Sequence, residues 1–216
     1  MSLDRQHSFW GSLSPLGGLT GAGLLVMACG RLSWAITVAG CLFWVYGLTS
    51  FAFAFLSSDK AKKIMPVKGL VTLFTCLAVF FSSIYILLFW LLCPFAALEV
   101  FLIMLLVPLF CANSGIVQQM HFSEHKYSDV FDNVSDAISQ AASLAGLIIA
   151  FSIIREPLSY CMLSFPGTYQ GMITIMYFKS GAFFPIGIFA ASAGSLLLLG
   201  YFICLYQYWK GNMNNG

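Results

Sequence analysis

From Trp34 to Leu56, and again from Gly69 to Cys93, the chain carries no charged residue. A run of about 20 apolar residues is long enough to cross a bilayer as a helix. In hydrocarbon every backbone N–H and C=O must find its partner inside the protein, which leaves helices and closed barrels. These runs are continuous rather than alternating, so a barrel is excluded. Composition agrees. The chain is 60% hydrophobic and 8% charged, with a mean hydropathy of +0.88. Soluble domains carry roughly 25% charged residues.

Six spans are predicted: 16–29, 34–56, 69–93, 97–117, 136–154 and 184–208. The chain is therefore expected to be a single all-α membrane domain over residues 1–216. Val26–Cys29 faintly resembles the end of a lipoprotein signal, but Met27 fits poorly and the downstream chain itself spans, so this stretch is read as the first helix. Lys60, Lys62, Lys63 and Lys68 crowd the connection between the second and third spans. Lysine and arginine in short loops stay cytoplasmic. Both termini are then cytoplasmic, with Arg31, Arg155 and Lys179 on the outer side. The net charge of +2, without a basic patch interleaved with aromatics, gives no footprint for nucleic acid.

The acidic connection after the fourth span carries Val130, Phe131, Val134 and Ile138 at helical spacing and reads as a surface helix leading into the fifth span. The outer segment 155–179 holds Pro157, Pro166 and Gly167 and reads as an ordered loop with an interfacial piece. Its Tyr160, Phe165, Tyr169, Tyr177 and Phe178 suit a headgroup-level aromatic belt.

Two spans are interrupted. The first holds Gly17, Gly18, Gly21 and Gly23 around Thr20; the fourth holds Pro108, Asn113, Ser114 and Gly115. Interrupted segments at corresponding places in two halves point to a 3+3 inverted repeat with a midplane site. Small residues at such spacing also let helices pack closely without any site. Thr20, Asn113 and Ser114 are the candidate midplane residues.

These residues together resemble the six-helix membrane subunits shared by Rnf electron-transport complexes and sodium-translocating NADH:quinone reductases (Nqr). Gly18-Leu19-Thr20-Gly21-Ala22 stands at the GLCPA-like element of that family, and Pro108-Leu109 with Asn113-Ser114-Gly115 at its PL…NCA-like element. Val130-Phe131-Asp132-Asn133 matches the lead-in to the fifth helix, and Ile154-Arg155-Glu156-Pro157-Leu158, followed by Leu163-Ser164, matches its IRE end. The likeness runs from about Gly17 to Trp209, and the Ile154–Leu158 segment is its most specific part.

The resemblance implies a subunit that is not catalytic alone, in a bacterial cytoplasmic membrane. It implies a homologous partner of opposite topology, with flavin and Fe–S subunits supplying electrons. Such pairs are thought to share a 2Fe–2S cluster, each subunit giving one cysteine from each broken helix. Here Thr20 and Ser114 occupy the cysteine positions, and a hydroxyl is a poor substitute for thiolate on cluster iron. The implied reading is a divergent member that binds no cofactor by itself. A shared cluster would have to use Cys29 and Cys111. Cys111 lies three residues before Ser114, about 5 Å along a helix, and Cys29 nine residues past Thr20, about 13 Å. Those unequal shifts favour buried packing thiols.

Charge inside a membrane is expensive and signals function by default. Glu99 is read as an interfacial charge or as lining a proton or sodium path. Arg155 and Glu156 are expected to end the fifth helix and to face different partners, since helix neighbours diverge. They suit an interfacial anchor or a subunit dock. The third span holds no acid, which weakens a direct ion-carrying role. His121 and His125 have metal-pair spacing beside Glu124, but no third ligand is evident. No GxSxG, P-loop, GxGxxG or HExxH occurs. A small secondary transporter or substrate-binding membrane component on the same inverted repeat is the alternative reading.

Overall fold

A computed structural model of the chain describes residues 25–26, 28–56, 67–111, 130–167, 172–177, 187–191, 194–201, 204 and 208. The protein is mostly helical. Four helices are named here: α1 (Leu32–Leu56), α2 (Val67–Leu92), α3 (Pro94–Met104) and α4 (Val130–Tyr160). Three stretches are long and apolar enough to cross a membrane: Leu32–Leu56, Thr72–Leu92 and Ala137–Tyr160. They correspond to the predicted second, third and fifth spans. Most of the first and much of the sixth lie outside the described residues, as do the fourth beyond Cys111 and the His121–His125 segment.

The central element is α1. It packs against α4, α2, α3 and the strand pair that follows α4. Its buried face, including Val38, Cys41, Leu42 and Val45, meets Ile148 and Phe151 of α4 and Met104 of α3 in one core. By contrast only 11% of the α2 span is buried, with Phe74, Ala78 and Ser82 turned inward and Val79, Phe80, Leu87, Trp90 and Leu91 exposed. Tyr85 fastens α2 to α1 by donating its hydroxyl to the carbonyl of Thr37 at 3.3 Å. Gly40 leaves room for that approach, because a Cβ there would sit 2.6 Å from the Tyr85 hydroxyl oxygen.

Cys93 alone separates α2 from α3. Its φ of −139° and ψ of 68° take it out of the helix, as expected for the residue before a proline. Pro94 then starts α3, where its missing N–H is no loss. The fourth span is interrupted at Leu105–Leu106 before helix resumes over 107–111. Pro108 lacks the N–H that would bond the carbonyl of Met104, so the ladder breaks one turn earlier. This segment runs beside α1 from the Trp34–Glu99 contact to the neighbourhood of Thr49 and Cys111.

The fifth span departs from expectation at both ends. From Val130 the helical lead-in and the span form one continuous 31-residue helix, with no Gly or Pro to divide them before Gly146. The helix also continues through Pro157 to Tyr160. A proline so near the C-terminus gives up one backbone bond without breaking the helix. Cys161 then turns the chain with φ 51°, its N–H bonded to the carbonyl of Pro157 at 3.0 Å. The segment after α4 holds a pair of strands rather than a loop: β1 (Met162–Pro166) pairs antiparallel with β2 (Met172–Tyr177). A 3-10 turn follows at Gly187–Phe189.

Candidate functional site

The last two turns of α4 carry Ser152, Arg155, Glu156 and Ser159, spaced so that they fall on one helix face. All four are buried, Arg155 at 2% exposure and Glu156 at 0%. A charged face hidden at the end of a membrane helix is stable only if its charges find compensating dipoles. Both charges find them, and in opposite directions.

Glu156 reaches the start of α1 and the strand pair. Its Oε2 accepts the backbone N–H of Leu32 at 3.0 Å and that of Ser164 at 3.1 Å. Its Oε1 accepts the Ser164 hydroxyl at 2.5 Å. The strand register shifts between Leu163 and Ser164, and there the Ser164 amide turns to Glu156. Leu32 opens α1, so the carboxylate meets the positive end of the helix dipole.

Arg155 does the converse. Its Nε donates to the carbonyl of Phe189 at 2.9 Å, its Nη2 to that of Ala190 at 3.1 Å, and its Nη1 to that of Cys29 at 3.5 Å. Ser152 adds a bond from its hydroxyl to the same Cys29 carbonyl at 3.2 Å. These acceptors end the helical piece before Cys29 and the 3-10 turn, where cations are favoured. Ser159 closes the face by donating back to the carbonyl of Arg155 at 2.8 Å.

The adjacent pair thus braces the break at Cys29–Arg31 from both sides: cation on the carbonyl before it, anion on the amide after it. It also ties in β1 and the turn ahead of helix 194–201. Arg155 is held by three backbone carbonyls, and Glu156 by two backbone amides and the Ser164 hydroxyl. The arrangement orients helix ends: the carboxylate holds the start of α1 and β1, and the guanidinium holds the Cys29 carbonyl and the 187–191 turn.

The other candidate residues are dispersed. Thr20, Asn113 and Ser114 lie outside the described residues. Glu99 is exposed on α3 and accepts the indole N–H of Trp34 at 3.0 Å. Cys29 sits in the braced break and is fully buried. Cys111 is buried beside α1, with Cys41 and Thr49 as neighbours. Those neighbours place it about 14 to 25 Å along α1 from Leu32, at 1.5 Å per residue. Cys29 and Cys111 therefore do not converge on one centre, as ligands of a single cluster must. Among the described residues no three His, Cys, Asp or Glu side chains are grouped to hold a metal. The cysteines described here do not fit a 2Fe–2S cluster held by Cys29 and Cys111.

Leu32, Phe189 and Ala190 meet the pair through backbone groups alone, which no side-chain pattern marks. The polar stripe Ser152–Arg155–Glu156–Ser159 is the signal that was available. Comparison with protein-family models, with curated proteins and with solved structures returns no match.

Proposed function

We propose that this chain is a membrane subunit of a redox-driven, ion-translocating complex of the Rnf/Nqr type, lodged in a bacterial cytoplasmic membrane with both termini cytoplasmic. The observation that carries the reading is the Ile154–Leu158 segment. It is the most specific part of the resemblance, and its Arg155 and Glu156 are both consumed in holding helix ends. That use suits a scaffold whose chemistry resides in partners. Flavin and Fe–S subunits would bring the electrons, and a homologous subunit of opposite topology would complete the pair.

Six spans in a 3+3 inverted repeat belong to this proposal, as does a midplane site lined by Thr20, Asn113 and Ser114. Oxygen donors of that kind suit a hard cation such as sodium better than they suit cluster iron. The scattered thiols support a subunit that holds no cluster of its own.

Affinity purification from native membranes in mild detergent, followed by identification of the bound subunits, tests the reading. Flavin and Fe–S proteins should co-purify. A chain that purifies alone and moves a solute in proteoliposomes without redox partners would instead be a secondary transporter. Anaerobic preparation adds a second check: stoichiometric iron–sulfur absorption that disappears in Cys111→Ala would refute the cluster-free form.

A further inference from the structure

Trp34 carries a cation on its ring face and an anion at its edge. The guanidinium carbon of Arg31 lies 5.5 Å from the Trp34 ring centroid and 5.2 Å from that of Tyr160. Nη1 of Arg31 donates to the sulfur of Met172 at 3.1 Å, a weak acceptor. Glu99 accepts the Trp34 indole N–H at 3.0 Å. Among the described residues neither Arg31 nor Glu99 has an ion-pair partner. The indole lies between them, and among the described residues each makes a single side-chain hydrogen bond. Glu99 is exposed and Arg31 only half-buried.

Beneath this pair lies an apolar track. Phe95, Leu98, Leu102, Leu105 and Leu109 are all exposed, Leu102 at 74%. Phe95, Leu98, Leu102 and Leu105 recur at three- and four-residue steps along α3 and its C-cap, so they form one stripe flanking Glu99, and Leu109 is exposed beyond the interruption at Leu105–Leu106. Charges of both signs thus stand beside a lipid-facing stripe.

We propose that this is a headgroup site for a phospholipid bearing a primary ammonium, of the phosphatidylethanolamine type. The phosphate meets the guanidinium, whose planar fork matches its oxygens. The ammonium donates to Glu99, and an acyl chain lies along the Phe95–Leu105 stripe. A phosphatidylglycerol head satisfies Arg31 but brings no donor cation to Glu99. A choline head has no N–H to give. The site depends on membrane location alone and stands or falls separately from the redox reading.

The test uses the purified full chain in detergent, with lipid retention followed by native mass spectrometry. Phosphatidylethanolamine, phosphatidylglycerol and phosphatidylcholine of matched chain length are compared. The wild-type chain should retain phosphatidylethanolamine in preference to both others. Glu99→Gln should remove that preference by about tenfold while keeping phosphatidylglycerol, the scale of one charge-assisted bond. Arg31→Gln should weaken both phosphatidylethanolamine and phosphatidylglycerol by about tenfold on the same scale. Equal retention of all three lipids by the wild-type chain would mean annular lipid only and overturn the proposal; this arm needs no variant to fold. Unchanged selectivity in Glu99→Gln would overturn it as well. So would displacement of bound lipid by soluble phosphoethanolamine at equal concentration, which would assign the site to the free headgroup.

Discussion

The carboxylate of Glu156 caps the first amide of α1 across 124 positions of chain, accepting the Leu32 N–H at 3.0 Å. The same side chain holds the amide and hydroxyl of Ser164. Glu156→Ala would leave three buried donors without an acceptor, at about 1–3 kcal/mol each. Thermal unfolding in detergent should therefore fall by more than about 3 kcal/mol in stability, well outside the usual range for a surface change. Glu156→Gln should fall between, because its carbonyl accepts while its amide group opposes donors. A Glu156→Ala protein that melts like the wild type would show that the cap carries no stability.

Arg155 spans three carbonyls from two separate segments, Cys29 on one side and Phe189 with Ala190 on the other. A lysine ammonium is a compact charge and cannot bridge positions that the guanidinium fork reaches together. Arg155→Lys should loosen the 187–191 turn while the Leu32 cap, held by Glu156, stays closed. Hydrogen exchange should then quicken across 187–191 and the helix that follows, and remain slow at the start of α1. Uniform quickening at both places would mean that the two charges act as one unit.

The cysteines give a third measurement. Cys76 and Cys204 are exposed, whereas Cys29, Cys41, Cys111 and Cys161 are buried. In detergent, N-ethylmaleimide should modify Cys76 and Cys204 first. Cys29 and Cys111 should react only on denaturation, with or without a prior iron chelator. If chelation alone exposed either thiol, that cysteine would be a ligand rather than packing.

The extent of the helices was legible where solvent alone decides it. Trp34–Leu56 and Gly69–Cys93 lie within two residues of α1 and α2, because an uncharged run of that length has one stable form in hydrocarbon. The end of α4 was not legible. Arg155, Glu156 and Pro157 together read as a stop, and only the distant amides and carbonyls that absorb the two charges let the helix continue to Tyr160. The strand pair is hard to read from sequence for a related reason. Ile173, Thr174 and Ile175 are strand formers after a Pro166–Gly167 turn signal, but aromatic content pointed first to the interface. The brace itself joins side chains to backbone far away in sequence. No periodicity encodes such a pairing, although the buried polar stripe of α4 hints that something must meet it.

Gly194 tests how tightly the last described helix is seated. A Cβ there would lie 1.9 Å from the carbonyl oxygen of Ile188 and 2.8 Å from the Cα of Phe189. Both are backbone atoms of the turn whose end Arg155 holds, so neither can rotate away. Gly194→Ala must therefore move the turn or the helix, straining the Arg155 bonds to Phe189 and Ala190. Gly146 is the control, since a Cβ there meets nothing within 4 Å. Alanine in mid-helix is favoured over glycine by about 0.5–1 kcal/mol. Gly146→Ala should leave the melting temperature unchanged or raise it, and Gly194→Ala should lower it. If Arg155→Met is introduced first, the Gly194→Ala penalty should shrink, because the turn is then free to shift. Strictly additive losses in that double-variant cycle would show that the glycine and the arginine act on independent parts of the fold.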